Sequence, residues 1–343
     1  MRRVCLVAAA LVAMVPFAVG QYKVVQTAKV GGAGGFDYVN ADSAARKLYI
    51  ARSGTPGRIT VFNLDTLAPA GEIADVSAHG VAVDAKSGHG FATSKPVAMF
   101  DAKTVTAIKT IDVQGGPDGL LGDPAMGRVY ILSHGAPNVT VLDAKDGAIV
   151  GTIDLGGAPE QAVLDGKGKM YIDLEDKGSI AVVDTKAMTV TAKYDLQGKG
   201  GTCAGLAMDV KNNILFAACR SPQTMVILSA ADGKILETLP LGMGTDGAVF
   251  NPATMEAFSS NGDGTLTVVK ENSPTSFVVE QTVTTLPRAK TLTLDTKTNK
   301  IFLITAEYGA APAAAPAAAG APPARPARAP MVPDSFTILV VGK

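Results

Sequence analysis

The chain has no tryptophan, only 5% aromatic residues, and no excess of either charge, with 31 Lys and Arg against 31 Asp and Glu. A basic stripe and a stacking platform for bases are both missing, so nucleic-acid binding has no support. The three histidines and three cysteines fall in none of the spacings of a zinc site. There is no Gly-x-Ser-x-Gly, and no Ser/His/Asp order suggestive of nucleophilic catalysis. Past the first twenty residues no apolar run is long enough to span a membrane.

What is present begins with a leader. Residues 1–20 carry Arg2 and Arg3, an apolar run from Val4 to Val19, and Ala18-Val19-Gly20 ahead of Gln21. This is the pattern of a secretory signal peptide, too short and too weakly flanked to be an anchor. The residues around the arginine pair fit ordinary secretion better than twin-arginine export. A periplasmic or secreted location is therefore expected, for a mature chain with two more acids than bases.

The rest is a repeat. An acidic or amide turn residue closes each first strand, at Asp42, Asp84, Asp123, Asp165, Asp209, Asn251 and Asp295, with intervals of 42, 39, 42, 44, 42 and 44 residues. In the third copy, strands are expected at 119–122, 128–133, 138–142 and 148–155, broken by Asp-Pro and Lys-Asp-Gly turns. Four short strands per unit of about forty residues is the signature of a β-propeller blade. The expected fold is all-β: a single seven-bladed propeller over residues 21–343, with four antiparallel strands per blade. Residues 22–29 form a strand with no preceding partner, and the last unit ends at its third strand. The N-terminal strand is expected to complete that blade, which removes two free edges at once. Residues 309–333, rich in Ala and Pro, are inserted in the last blade and read as a tolerated flexible insertion rather than a lid or docking arm.

The second strands (LYIAR, VYILS, MYIDL) and the pattern Pro-x-Gly, hydrophobic run, Asp resemble the YVTN-repeat seven-bladed propellers, the YncE-like exported proteins. The resemblance covers nearly all of the mature chain. It implies a periplasmic or cell-surface protein with a binding role, and it carries over no catalytic residue. The Ala/Pro insertion departs from the pattern, as does the lack of Trp, which some relatives would use in a ligand funnel.

Five residues before each turn residue stand Asp37, His79, Asp118, Glu160, Ala204, Asp246 and Lys290. If the register holds, they ring the channel mouth, where loops on a rigid scaffold gather binding groups. Crowded carboxylates raise one another's pKa or recruit a cation. The ring reads either as a site for a metal ion or polar ligand or as a hydrated funnel. No cofactor is required, but Ca²⁺ or another divalent ion would suit so many oxygens better than zinc, since only one histidine is in the ring. His134, at the end of a second strand, is a secondary candidate that could pair with His79. His89, in a hairpin turn on the opposite face, has no role. The glycine-rich stretch 31–35 opens no helix and is not a phosphate loop.

Cys203 and Cys219 flank one hairpin at nearly opposite positions, so a cross-strand disulfide is favoured over free thiols or a redox pair in an exported protein. Together these features point to a monomeric binding protein whose partner is a protein, a cell-envelope component or a small molecule. The alternative is an exported propeller enzyme, of lactone hydrolase or lyase type, with a metal held by the carboxylate/His ring.

Overall fold

The computed structural model describes residues 20–136, 138–311 and 329–343. Residues 1–19 of the leader, residue 137 and residues 312–328 of the insertion lie outside them. The described residues contain strands and no helix. The strands make seven four-stranded antiparallel sheets. Six have their strands in sequence order, and the seventh runs Thr291–Asp295, Lys300–Thr305, Thr337–Gly342 and then Lys23–Lys29. The N-terminal strand therefore pairs with the last blade, antiparallel, from Lys23 opposite Gly342 to Lys29 opposite Thr337.

Each turn residue of the repeat acts locally. The Asp42 carboxylate accepts from the backbone N–H of Ala44 and Ala45, and Asp123 from Ala125 and Met126. Asp84, Asp165, Asp209, Asn251 and Asp295 do the same in their own hairpins. These side chains mimic a turn of backbone, which is why their spacing in sequence marks the blades. Strand limits differ slightly from the sequence expectation. In blade 3 the first strand is Pro117–Asp123, longer at both ends, and the fourth is Ile149–Asp154, shorter at both ends.

The blades pack face to face. Seven apolar clusters fill the seven gaps between neighbouring blades, so no gap is left to solvent. The cluster between blades 7 and 1 holds Phe302, Phe336, Ile338, Leu48 and Phe62. First strands touch first strands around the centre, while fourth strands such as Thr106–Ile111 and Thr189–Asp195 lie exposed on the outer rim.

Cys203 and Cys219 are disulfide-bonded across the first hairpin of blade 5. A bond closing a loop of sequence separation 16 contributes about 3 kcal/mol in the chain-entropy picture. The Cys203→Ser/Cys219→Ser variant is expected to melt roughly 5–10 °C lower than the oxidised protein. A scanning-calorimetry midpoint within 1 °C of wild type would show that packing alone holds this hairpin.

Between blades 5 and 6 the Glu271 and Asp209 carboxyls are both buried, and each has an oxygen without a hydrogen-bond partner. Burial, and then the neighbouring Asp209 charge, push the Glu271 carboxyl up to about 7. A carboxyl raised in the folded state favours folding fully below its unfolded value, and that contribution fades as pH climbs through its folded value. Stability from this pair is thus expected to fall between about pH 4.5 and pH 7. Glu271→Gln keeps the acceptor for Asn212 Nδ2 and supplies a permanent donor toward Asp209. It should raise unfolding free energy at pH 8 by roughly 1–3 kcal/mol and change it little at pH 5, read by urea titration at both values.

Candidate functional site

The first strands carry a shared irregularity that builds the site. In blades 1 to 6 their pairing with the second strand slips at the same place, between Phe36 and Val39, Ala78 and Val81, Pro117 and Leu120, Pro159 and Ala162, Cys203 and Gly205, and Thr245 and Gly247. Each slip brackets a residue of the expected ring. A β-bulge re-aims the side chains within it, here toward the channel mouth. Blade 7 has no slip, and Lys290 sits just ahead of its first strand.

The ring residues sort into three groups. In the first, His79 Nδ1 stands 3.0 Å from Asp37 Oδ2 and 3.3 Å from Asp118 Oδ1, joining blades 1, 2 and 3. In the second, Glu160 meets His134 and a residue outside the ring, Glu175, with His134 Nε2 3.1 Å from Glu175 Oε2. In the third, Lys290 and the guanidinium of Arg220 both grip Asp246. Arg220 also donates to Glu175 Oε1 at 2.8 Å and to the Thr245 carbonyl at 2.8 Å, so it links the second group to the third. Ala204 holds the ring position of blade 5 and is buried without a polar group. His79 and His134 line one cavity of about 390 Å³ with Asp118, Glu160, Glu175 and Arg220. They do not pair with each other; each faces carboxylates instead. His89 lies elsewhere, its Nδ1 3.1 Å from the Ala144 carbonyl of the next blade.

The cavity has a floor. Tyr38, from blade 1, reaches across the channel and donates its hydroxyl to Glu160 Oε2 of blade 4 at 3.0 Å. Beside it Gln161 ties three blades, its Oε1 accepting from Leu206 N and Ala248 N and its Nε2 donating to the Ala248 carbonyl, all at 3.0 Å. Gly80 beside Tyr38 leaves room for Leu120, since a Cβ there would lie 2.8 Å from Leu120 Cδ2. The mouth is therefore a cup rather than the top of an open pipe.

Its electrostatics follow from crowding. The hydrogen bond to Asp37 raises the His79 pKa, and the Asp118 charge adds to it. Burial raises Asp118, with Asp37 the next cause. Burial, then the Asp118 charge, pushes Glu160 up to about 7. Asp173, fully buried below, is held well above the usual carboxylate range by burial and then by Glu160.

Sequence reasoning missed Tyr38, Gln161, Glu175 and Arg220. A signal for two of them was present. Glu175 and Arg220 occupy, in blades 4 and 5, the place just after or at the end of the second strand that His134 occupies in blade 3. The register argument that singled out His134 applies equally to them.

At the top of blade 7 a second cavity of about 590 Å³ is lined by Leu286, Pro287, Arg288 and Tyr308, with the Arg288 guanidinium 4.1 Å over the Tyr308 ring. The described flanks of the insertion meet beside it through Tyr308 and Met331. No described helix is long and apolar enough to cross a membrane.

No protein-family model matches the sequence, and no curated protein matches it. Solved structures match the fold. A chain of the mitotic checkpoint complex superposes with a TM-score of 0.71 at 11% identity, covering 88% of this chain and 95% of that one. U3-55K gives 0.70 at 9%, covering 93% and 98%. The WD40 repeats of RRP9 give 0.72 at 10%, covering 94% and 97%. At such identities the likeness is one of fold alone: a seven-bladed, WD40-like β-propeller.

Proposed function

We propose that the chain is an exported propeller of the YVTN-repeat, YncE-like kind that binds a ligand or partner at the channel mouth without transforming it. The observation that carries this reading is the cup. Rigid strands from several blades present histidines, carboxylates and Arg220 to one cavity, closed below by the Tyr38–Glu160 hydrogen bond. A preformed concave site with a few convergent polar groups is built for recognition. The leader pattern and the disulfide suit a periplasmic or secreted setting. The carboxylates and histidines of the lining are engaged with one another, with Tyr38 and with Arg220, which favours recognition over the enzyme alternative. A structural neighbour sits in an assembly named the mitotic checkpoint complex, which makes a protein partner the second reading. The polar cup favours a small charged ligand.

The test uses mature protein kept in EDTA and exposed to the low-molecular-weight fraction of an envelope extract, followed by native mass spectrometry. Wild type should retain a defined adduct. Arg220→Gln should weaken retention tenfold or more, since Arg220 holds both Glu175 and Asp246 in place. Equal retention by the variant, or no adduct, would remove the channel mouth as the binding site.

A further inference from the structure

We infer that the channel mouth takes up one divalent transition-metal ion, held by His79 together with Asp37 and Asp118. The inference rests on the ligand-binding reading above and names one component of what the cup holds.

Two carboxylate oxygens converge on one imidazole nitrogen. Asp37 Oδ2, His79 Nδ1 and Asp118 Oδ1 belong to a group whose ligand atoms all lie within 4.8 Å of one another. One imidazole nitrogen carries at most one hydrogen, and it faces two carboxylate oxygens. Asp118 Oδ1 is shut off from solvent and has no hydrogen bond. The two permanent cations of the mouth do not help. Arg220 is committed to Glu175 and Asp246, and Lys290 to Asp246. The half of the mouth built from blades 1 to 3 is left with two carboxylates and a histidine.

The spacing suits an ion. With bonds of roughly 2.1 Å, neighbouring ligands stand about 3.0 Å apart at octahedral angles and about 3.4 Å apart at tetrahedral ones. The observed His79 separations are 3.0 and 3.3 Å. Entry of the ion needs small side-chain shifts rather than a rearranged backbone, because the bulges already place all three groups at one point. One nitrogen and two oxygens favour Mn²⁺, Fe²⁺, Co²⁺ or Zn²⁺ over Ca²⁺, which takes six to eight oxygens. Three protein ligands leave the remaining coordination positions to water.

The neighbouring trio of His134, Glu160 and Glu175 is also compact. Its carboxylates are already engaged, Glu175 by Arg220 and Glu160 by Tyr38. An ion there would share its carboxylates with Arg220 and Tyr38, whose donors already offset their charge, so the first trio is the site.

The experiment is calorimetric titration of EDTA-stripped, dialysed mature protein with MnCl₂, ZnCl₂ and CaCl₂, with elemental analysis after desalting. The expected result is one Mn²⁺ or Zn²⁺ per chain and Ca²⁺ binding at least tenfold weaker. His79→Ala should weaken binding a hundredfold or more and Asp118→Asn at least tenfold, while His134→Ala should stay within threefold of wild type. His79→Gln, which keeps a donor toward Asp37, serves as a second variant if the alanine protein does not fold. Absence of saturable binding would overturn the assignment, as would binding unchanged in the His79 variants or lost in His134→Ala instead. Because ligand capture is measured in EDTA, it can succeed where this titration fails, so the two readings fall separately.

Discussion

Deleting residues 21–29 is expected to abolish the monomeric fold. Those residues supply the outermost strand of blade 7, and their removal bares Thr337–Gly342, every residue of which is buried. An unpaired apolar edge of this kind templates aggregation. Tyr22 is lost with the strand. It is 3% exposed, packs edge-on against Phe258 with ring centroids 5.2 Å apart, and donates its hydroxyl to Glu256 Oε2 at 2.5 Å. Lys343 holds the other Glu256 oxygen at 2.9 Å with its ammonium 4.6 Å from the Tyr22 ring centroid, so the segment leading into the N-terminal strand and the residue after the strand it pairs with meet on one carboxylate. Gln281 clasps the Tyr22 backbone on both sides, at 2.9 and 2.7 Å.

Truncating one buried aromatic costs about 3–5 kcal/mol, and total stability is roughly 5–15 kcal/mol. Loss of the whole strand should consume most of that margin. The deleted protein is expected in the void volume of a sizing column, or as a monomer melting at least about 10 °C lower. Tyr22→Ala should reproduce about 3–5 kcal/mol of the loss and Tyr22→Phe about 1–3 kcal/mol, since it leaves Glu256 one donor short. A soluble monomer with an unchanged melting point would mean that the ring does not depend on its N-terminal strand.

Replacing Arg52 is expected to be almost as damaging. This guanidinium is 1% exposed and, among the described residues, has no carboxylate partner. Its charge is met by backbone carbonyls. Nη2 donates to Gly32, Ala33 and Gly34 at 3.1 to 3.2 Å, and Nη1 and Nε reach Gly31 and Gly35 at 3.4 Å. Its other face stacks on Phe336, 3.7 Å from the ring centroid. The glycines are required. Gly34 has φ +98°, and a Cβ there would stand 2.8 Å from the Ser53 carbonyl oxygen. Burial, and then Arg58, lower the Arg52 pKa to about 10, which still leaves it charged at neutral pH.

The Arg52 cluster lies where blade 7 meets blade 1, so it helps shut the ring. Arg52→Ala would open a cavity and strand several buried carbonyls together, at a cost of about 3–5 kcal/mol in urea unfolding. Arg52→Lys keeps the charge but not the planar fork, and should recover only part of it. A change below about 1 kcal/mol for Arg52→Ala would show that solvent reaches those carbonyls in the folded protein.

Arg52 also shows where sequence reading stops. Residues 31–35 look like a loop without a task, because the group they serve arrives 17 to 21 residues later. The cup repeats the lesson. His79 is easily placed in a ring with Asp37 and Asp118, yet only the bulged first strands and the curvature of three blades bring its Nδ1 between them. His134, Glu175 and Arg220 hold the same register at the end of a second strand, so the signal that marks the first marks the other two, whereas nothing local marks Tyr38 or Gln161.

What the chain's own order of residues determined is the number of blades, the strands in each, and closure by the N-terminal strand. Those rest on interactions a few residues long, such as Asp123 capping its own turn, and on alternating apolar runs that must be buried. What tertiary structure alone decided is which ring residues face one another, that Tyr38 and Gln161 floor the channel, and that Arg52 sits among carbonyls. Those contacts join residues from 17 to 122 positions apart, set by bulges and by the packing angle between sheets, and neither leaves a periodic mark on the sequence.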